Sequence, residues 1–146
     1  MDCTADSGSG TLVHFHPDQE ETFTVQQGQL EVLRDGSWQP VRAGESHTVP
    51  RGAVHAWRNG EPAPARFLNV HRPALGFEAH MRTLHRLAGE GKIRSTRDVR
   101  SVIYMCMSAA EHQPDVTIRP PQWVVKGMAQ LGRLLGFKLA SDATSR

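Results

Sequence analysis

Long apolar runs are missing from this chain. No stretch approaches the roughly 20 residues needed to cross a bilayer, and Met1 to Gly10 is polar and small where a signal peptide would be apolar. A soluble, cytoplasmic protein without a membrane partner is therefore expected. Cysteine is scarce as well. Cys3 and Cys106 have neither the number nor the spacing of a disulfide framework or a thiolate metal site, and Cys106, set in an apolar helical pattern, reads as a small buried hydrophobe. Charge of one sign is not in excess either. There are 17 Lys plus Arg against 15 Asp plus Glu, a net charge of +2 with no long basic run, which is too mild to argue for nucleic acid. At 146 residues, 38% hydrophobic and 22% charged, the chain fits one globular domain with a modest core and one site.

What is present falls into two halves. From Thr11 to His71, β-branched and aromatic residues alternate with turn signals at Gly28, Asp35-Gly36, Gly44, Pro50-Arg51-Gly52, Asn59-Gly60 and Pro62 to Pro64. Short runs separated in this way predict an antiparallel sandwich or barrel, with strands near 11–16, 21–26, 29–34, 38–42, 46–50, 53–58 and 65–71. After Pro73 the period becomes helical. Phe77, Met81, Leu84 and Ala88 predict a first helix that stops at Gly89 and Gly91. Val99, Val102, Ile103, Cys106 and Ala110 predict a second, capped by Ser95-Thr96. Val124, Met128, Leu131 and Leu135 form the stripe of a third, between Pro121 and Gly136. No internal repeat is visible. The divisions are a disordered tail over 1–10, a β-barrel over 11–72 and a helical extension over 73–140 packing on the barrel or on a partner subunit, with Ser141 to Arg146 again disordered.

Alternate residues of a strand share a face, so His14 and His16 project together, about 7 Å apart along the chain. The same parity puts Glu21 with Phe23 and Val25 on the apolar face of its strand, and Glu20 with Thr22 and Thr24 on the other. His55 follows the Pro50-Arg51-Gly52 turn, which can bring it across from the first hairpin. Three imidazoles and one carboxylate suit one divalent ion, Fe, Mn, Ni, Zn or Cu, and leave positions open on an octahedral centre.

These residues stand in two spaced motifs. Gly8, His14, His16, Glu21 and Gly28 form the first, with four residues between His16 and Glu21. Gly44, Pro50, Gly52, His55 and Asn59 form the second, with 15 residues between Gly28 and Gly44. The pair resembles the cupins, in particular small single-domain members with a helical C-terminus. The resemblance implies a mainly β fold, a jelly-roll barrel followed by about three α-helices, with His14, His16, Glu21 and His55 as metal ligands. Cupins of this kind have strands ahead of the first motif, whereas only a Ser/Gly/Asp tail precedes Thr11 here. A barrel short of its leading strands would leave Val13 and Phe15 on the outer face of an edge strand, and so a homodimer is expected.

Other side chains are candidates around that centre. His47 shares strand parity with Val49 and, with Glu21, is a candidate to move a proton. Trp57, on the parity of His55, together with His71 and Phe23, is a candidate to contact substrate. His80, His85 and His112 lie in helical segments and are expected to pack or to face solvent. The resemblance implies a metal-dependent enzyme acting on a small organic molecule, an oxygenase first. Isomerase, lyase and decarboxylase chemistry on the same ligands, and a metal-dependent sensor or binding module without turnover, are the alternatives.

Overall fold

A computed structural model describes residues 1–95, 97–112, 117–118 and 121–139. The strands are β1 (Asp2–Ala5), β2 (His14–Phe15), β3 (Glu20–Gln27), β4 (Gln29–Arg34), β5 (Ser37–Arg42), β6 (Ser46–Val49), β7 (His55–Arg58), β8 (Ala65–Arg72) and β9 (Thr117–Ile118); the helices are α1 (Phe77–Gly89), α2 (Val99–His112) and α3 (Gln122–Leu134). The chain divides into two compact units, Met1–Leu75 with Asp115–Arg119, and Gly76–Pro114 with Pro120–Arg146. This corrects the single domain expected from length, because the helices have a core of their own.

In the β unit two antiparallel sheets form, with orders β1-β8-β3-β6 and β5-β4-β7-β2-β9. Their inward faces supply Ala5, Phe23, Val25, Leu30, Val32, Val41, Val49, Ala65 and Phe67, all buried in one cluster. The alternation is clean on β3, where Glu21, Phe23 and Val25 are buried and Glu20, Thr22 and Thr24 are not. Where β3 turns into β4, Gly28 adopts φ +76, and a Cβ there would press on the Pro64 carbonyl at 3.0 Å. That position favours glycine on both counts. Asn59 is fully buried. Its Nδ2 donates to the carbonyls of Ala5 and Ala63 and its Oδ1 accepts from the Glu61 amide, so it ties the loop before β8 to the first strand.

Two expectations at the barrel's ends are corrected. Residues 1–10 are not a disordered tail: β1 pairs antiparallel with β8 from Asp2 opposite Leu68 to Ala5 opposite Ala65. Asp2 takes a bidentate ion pair from Arg66, and Ala5 is 1% exposed. The polar composition hid a strand whose outer face is solvated. The barrel therefore has a leading strand. β2 is not an edge either, since it lies between β7 and β9. The reason for expecting an exposed edge there, and with it a homodimer, is removed.

The helical unit also departs from the predicted stripes. α1 buries Thr83 and Leu87, and α3 buries Ala129 and Gly132, while Leu131 and Leu135 are exposed. Gly132 explains the rotation of α3. A Cβ on it would sit 2.5 Å from Ile103 Cγ2 and 2.7 Å from Met107 Sδ, so α3 approaches α2 through its smallest side chains. The cap of α2 is Asp98, whose carboxylate accepts from the Ser101 amide at 2.8 Å and the Ser101 hydroxyl at 2.6 Å. Of the predicted cap, Ser95 Oγ accepts from the Arg97 amide, and Thr96 lies outside the described residues. The predicted disorder of Ser141 to Arg146 likewise lies outside them. No helix among the described residues is long and apolar enough to cross a membrane.

Candidate metal centre

Strand register assembles the site at one end of the β unit. On β3, Glu21 stands opposite Val49 of β6 on one side and His71 of β8 on the other. In the second sheet His14 of β2 stands opposite His55 of β7. His16 follows β2 on the same parity as His14, and its carbonyl accepts from the Gly52 amide at 2.8 Å, which fastens it to the Pro50-Arg51-Gly52 turn. His14, His16, Glu21 and His55 each offer a ligand atom, and these atoms all lie within 4.8 Å of one another. The four predicted ligands are thus brought together. Glu20, next to Glu21, falls on the other face.

Backbone carbonyls set the tautomers. His14 Nδ1 donates to Leu12 O at 2.8 Å and His55 Nδ1 donates to Ala53 O at 2.9 Å. A carbonyl can only accept, so the hydrogen of each neutral ring is on Nδ1 and the Nε2 lone pair is free. Nε2 of His55 then meets Glu21 Oε2 at 2.6 Å, and Nε2 of His16 lies 3.2 Å from the same oxygen. Two bases facing each other repel unless a cation, proton or metal, joins them. Both ring nitrogens of His16 are buried without a hydrogen-bond partner. This donor set fits a divalent ion held by imidazole nitrogen and carboxylate oxygen.

The protonation pattern follows from the same contacts. Burial alone would raise the Glu21 carboxyl, but the imidazoles of His16, His55 and His71 outweigh it and hold its pKa well below the usual carboxylate range. Burial pulls His55 down, yet the Glu21 carboxylate and the Ala53 carbonyl more than compensate and its pKa is raised. His14 is pushed down to about 4, by burial first and by His55 beside it. A neutral His14 over the physiological range is the form a metal takes.

Sequence reasoning missed Asn69. It shares the inward face of β8 with Phe67 and His71, is 4% exposed, and its Nδ2 donates to Glu21 Oε1 at 2.7 Å. Glu21 is thereby turned so that Oε2 faces His16 and His55, the orienting role that outer partners have around metal ligands. A buried Asn at inward parity two residues before His71 was the available signal. His71 Nε2 lies 3.3 Å from Glu21 Oε1 and its ring is 4.9 Å from that of His16, so it stands beside the four ligands. His47 is half-buried on the inward parity of β6, opposite Phe23. Phe23 and Trp57 pack with the barrel core, their rings 6.1 and 5.1 Å from that of Phe67. His80 and His112 pack within the helical unit, on Ser108 and Thr83.

The family model described as the cupin domain matches residues 2–71. An uncharacterised protein of Aquifex aeolicus is 37% identical over 46 residues, 32% of this chain and 38% of its own length, so the chain spans well under half of that relative. Among solved structures, a conserved protein with a double-stranded β-helix domain from Klebsiella pneumoniae is 30% identical, with 48% of this chain and 62% of that one covered and a TM-score of 0.45. A sugar phosphate isomerase of the cupin superfamily from Silicibacter pomeroyi is also 30% identical, with 48% and 46% covered and a TM-score of 0.45.

Proposed function

With residues 2–71 a member of the cupin domain family, we propose that the barrel is a metal-dependent enzyme acting on a small oxygen-bearing organic molecule. One observation carries this reading. Three histidines and Glu21, on strands of both sheets, converge where the Nε2 atoms of His55 and His16 face one buried carboxylate oxygen. Four protein donors are fewer than the six of an octahedral ion, so substrate has room to bind. A divalent ion bound there supplies Lewis-acid polarisation of a substrate oxygen, and a redox-active one adds the means to engage dioxygen.

The chain's own groups supply the rest. Leu12 O and Ala53 O fix the rings of His14 and His55, and Asn69 fixes Glu21. The inward apolar residues Phe23, Val32 and Val49 exclude water below the cluster. His47, whose pKa burial and the charges of Arg34 and His55 lower, is neutral at pH 7 and fit to accept a proton from a bound substrate. Oxygenase, isomerase and decarboxylase chemistry are all compatible with these groups.

The test is to load the purified protein with Co(II) or Fe(II) and follow its spectrum against azide and small keto and enol ligands, with turnover assayed in the presence and absence of dioxygen. A spectral response and product formation are expected. A metal spectrum indifferent to every ligand would mean a closed, structural site. Ligand binding without turnover would make the barrel a metal-dependent binding module.

A further inference from the structure

Beside the ligand cluster stands a cation that the proposed chemistry has not used. On β4, Leu30 and Val32 are buried on the inward face, and Arg34 follows on the same parity. It is opposite His55 in the register of β4 with β7, so the two side chains rise on the same side of the sheet. His55 in turn touches Glu21. From the facing sheet, His47 presents an Nε2 that is buried and has no hydrogen-bond partner. His47 is on the inward parity of β6, in the sheet opposite the one that carries Arg34, and after burial the Arg34 charge is the next cause that holds the His47 pKa down.

Arg34 has one ion-pair partner among the described residues, Asp35 at 3.4 Å, which is 82% exposed in the turn. Such a surface pair holds little energy and gives way to a better-placed anion. Glu21 is the sole carboxylate of the cluster. A divalent ion and Arg34 together therefore leave the site with excess positive charge once Glu21 is counted. A neutral or cationic ligand gains nothing from that field. An anion gains from it, and the guanidinium fork matches a carboxylate in two parallel hydrogen bonds.

Resting on the metal reading above, we propose that the ligand is a small organic anion whose carboxylate is held by Arg34 and His47 while another of its oxygens faces the His14–His16–Glu21–His55 cluster. Arg34 is then the residue that sets substrate class.

The experiment is calorimetric and spectroscopic titration of the Co(II)-loaded full chain with malonate, which carries a second carboxylate for Arg34, and with azide, which carries none. In Arg34→Gln, malonate affinity should fall about tenfold or more, with azide affinity and Co(II) content close to wild type. Arg34→Lys, which keeps the charge and loses the fork, should fall between the two. Asp35→Asn, in a turn whose φ of 50 suits Asn, removes the competing carboxylate and should tighten malonate. If malonate and azide change in parallel in Arg34→Gln and Asp35→Asn has no effect, the anion anchor is wrong and the metal site stands. If the wild type takes up no Co(II), both readings fall.

Discussion

Glu21 and Glu20 are the same residue type one position apart, and the pleat gives them opposite fates. Glu21 is 4% exposed and touches three imidazoles, while Glu20 lies on the outer face of β3. Glu21→Gln removes the only anionic ligand and should strip the protein of metal, whereas Glu20→Gln should leave metal content unchanged. Plasma mass spectrometry on the purified variants decides it, and loss of metal from Glu20→Gln alone would reverse the assignment. The sequence made this pair legible because parity on a strand depends on nothing but the backbone. Asn69 and Arg34 were not legible in the same way. Each shares a face with apolar residues, but what it does depends on which strand lies opposite, and that is set by register between segments far apart in the chain.

At the level of elements, seven of the nine strands fall where alternation and turn residues predict them, while β1 and β9 were missed. All three helices are found, with the buried faces of α1 and α3 turned from the apolar stripes. Two glycines of α3 make the reason testable. A Cβ at Gly132 would collide with Ile103 and Met107, whereas one at Gly127 would meet nothing within 4 Å. Gly132→Ala should cost about 1–3 kcal/mol by overpacking, and Gly127→Ala should add up to about 1 kcal/mol through helix propensity; urea unfolding followed by helical circular dichroism separates them. Two variants shifting in the same direction would mean that α2 and α3 are not packed at Gly132.

The α1–α2 contact carries a pH dependence. His80, between those helices on Ser108, is pulled down to about 4, by burial first and by His112 beside it, against an unfolded value of 6.5. A histidine with a depressed folded pKa contributes stability that is fully present above about pH 6.5 and is lost as pH falls towards 4, about 3 kcal/mol at most over that window. His80→Asn should flatten the fall in helical stability between those limits. A wild type equally stable at pH 6.5 and 4 would show that the ring is not buried in its neutral form.

On the scale of the whole chain, the consequential feature is that residues 117–118 pair with the strand that carries His14. A chain ending at Leu75 keeps β1 to β8 but leaves β2 with β7 alone, and a two-residue strand paired on one side holds its side chains less firmly. Such a truncation should retain less metal after dialysis than the full chain and should aggregate through the opened edge. Equal retention and equal light scattering would show that β9 contributes nothing to the site.

The sequence by itself determined the strand parities, the turns and the four candidate ligands, because those follow from local geometry and from the spacing of His14, His16, Glu21 and His55. Only the tertiary structure decided that the polar N-terminus is a barrel strand, that Asn69 and His71 flank Glu21, and that β9 closes the edge of β2. Each of these is a pairing between distant segments. Pairing is selected by the burial of whole faces and the satisfaction of whole hydrogen-bond ladders, quantities that no single stretch of residues contains.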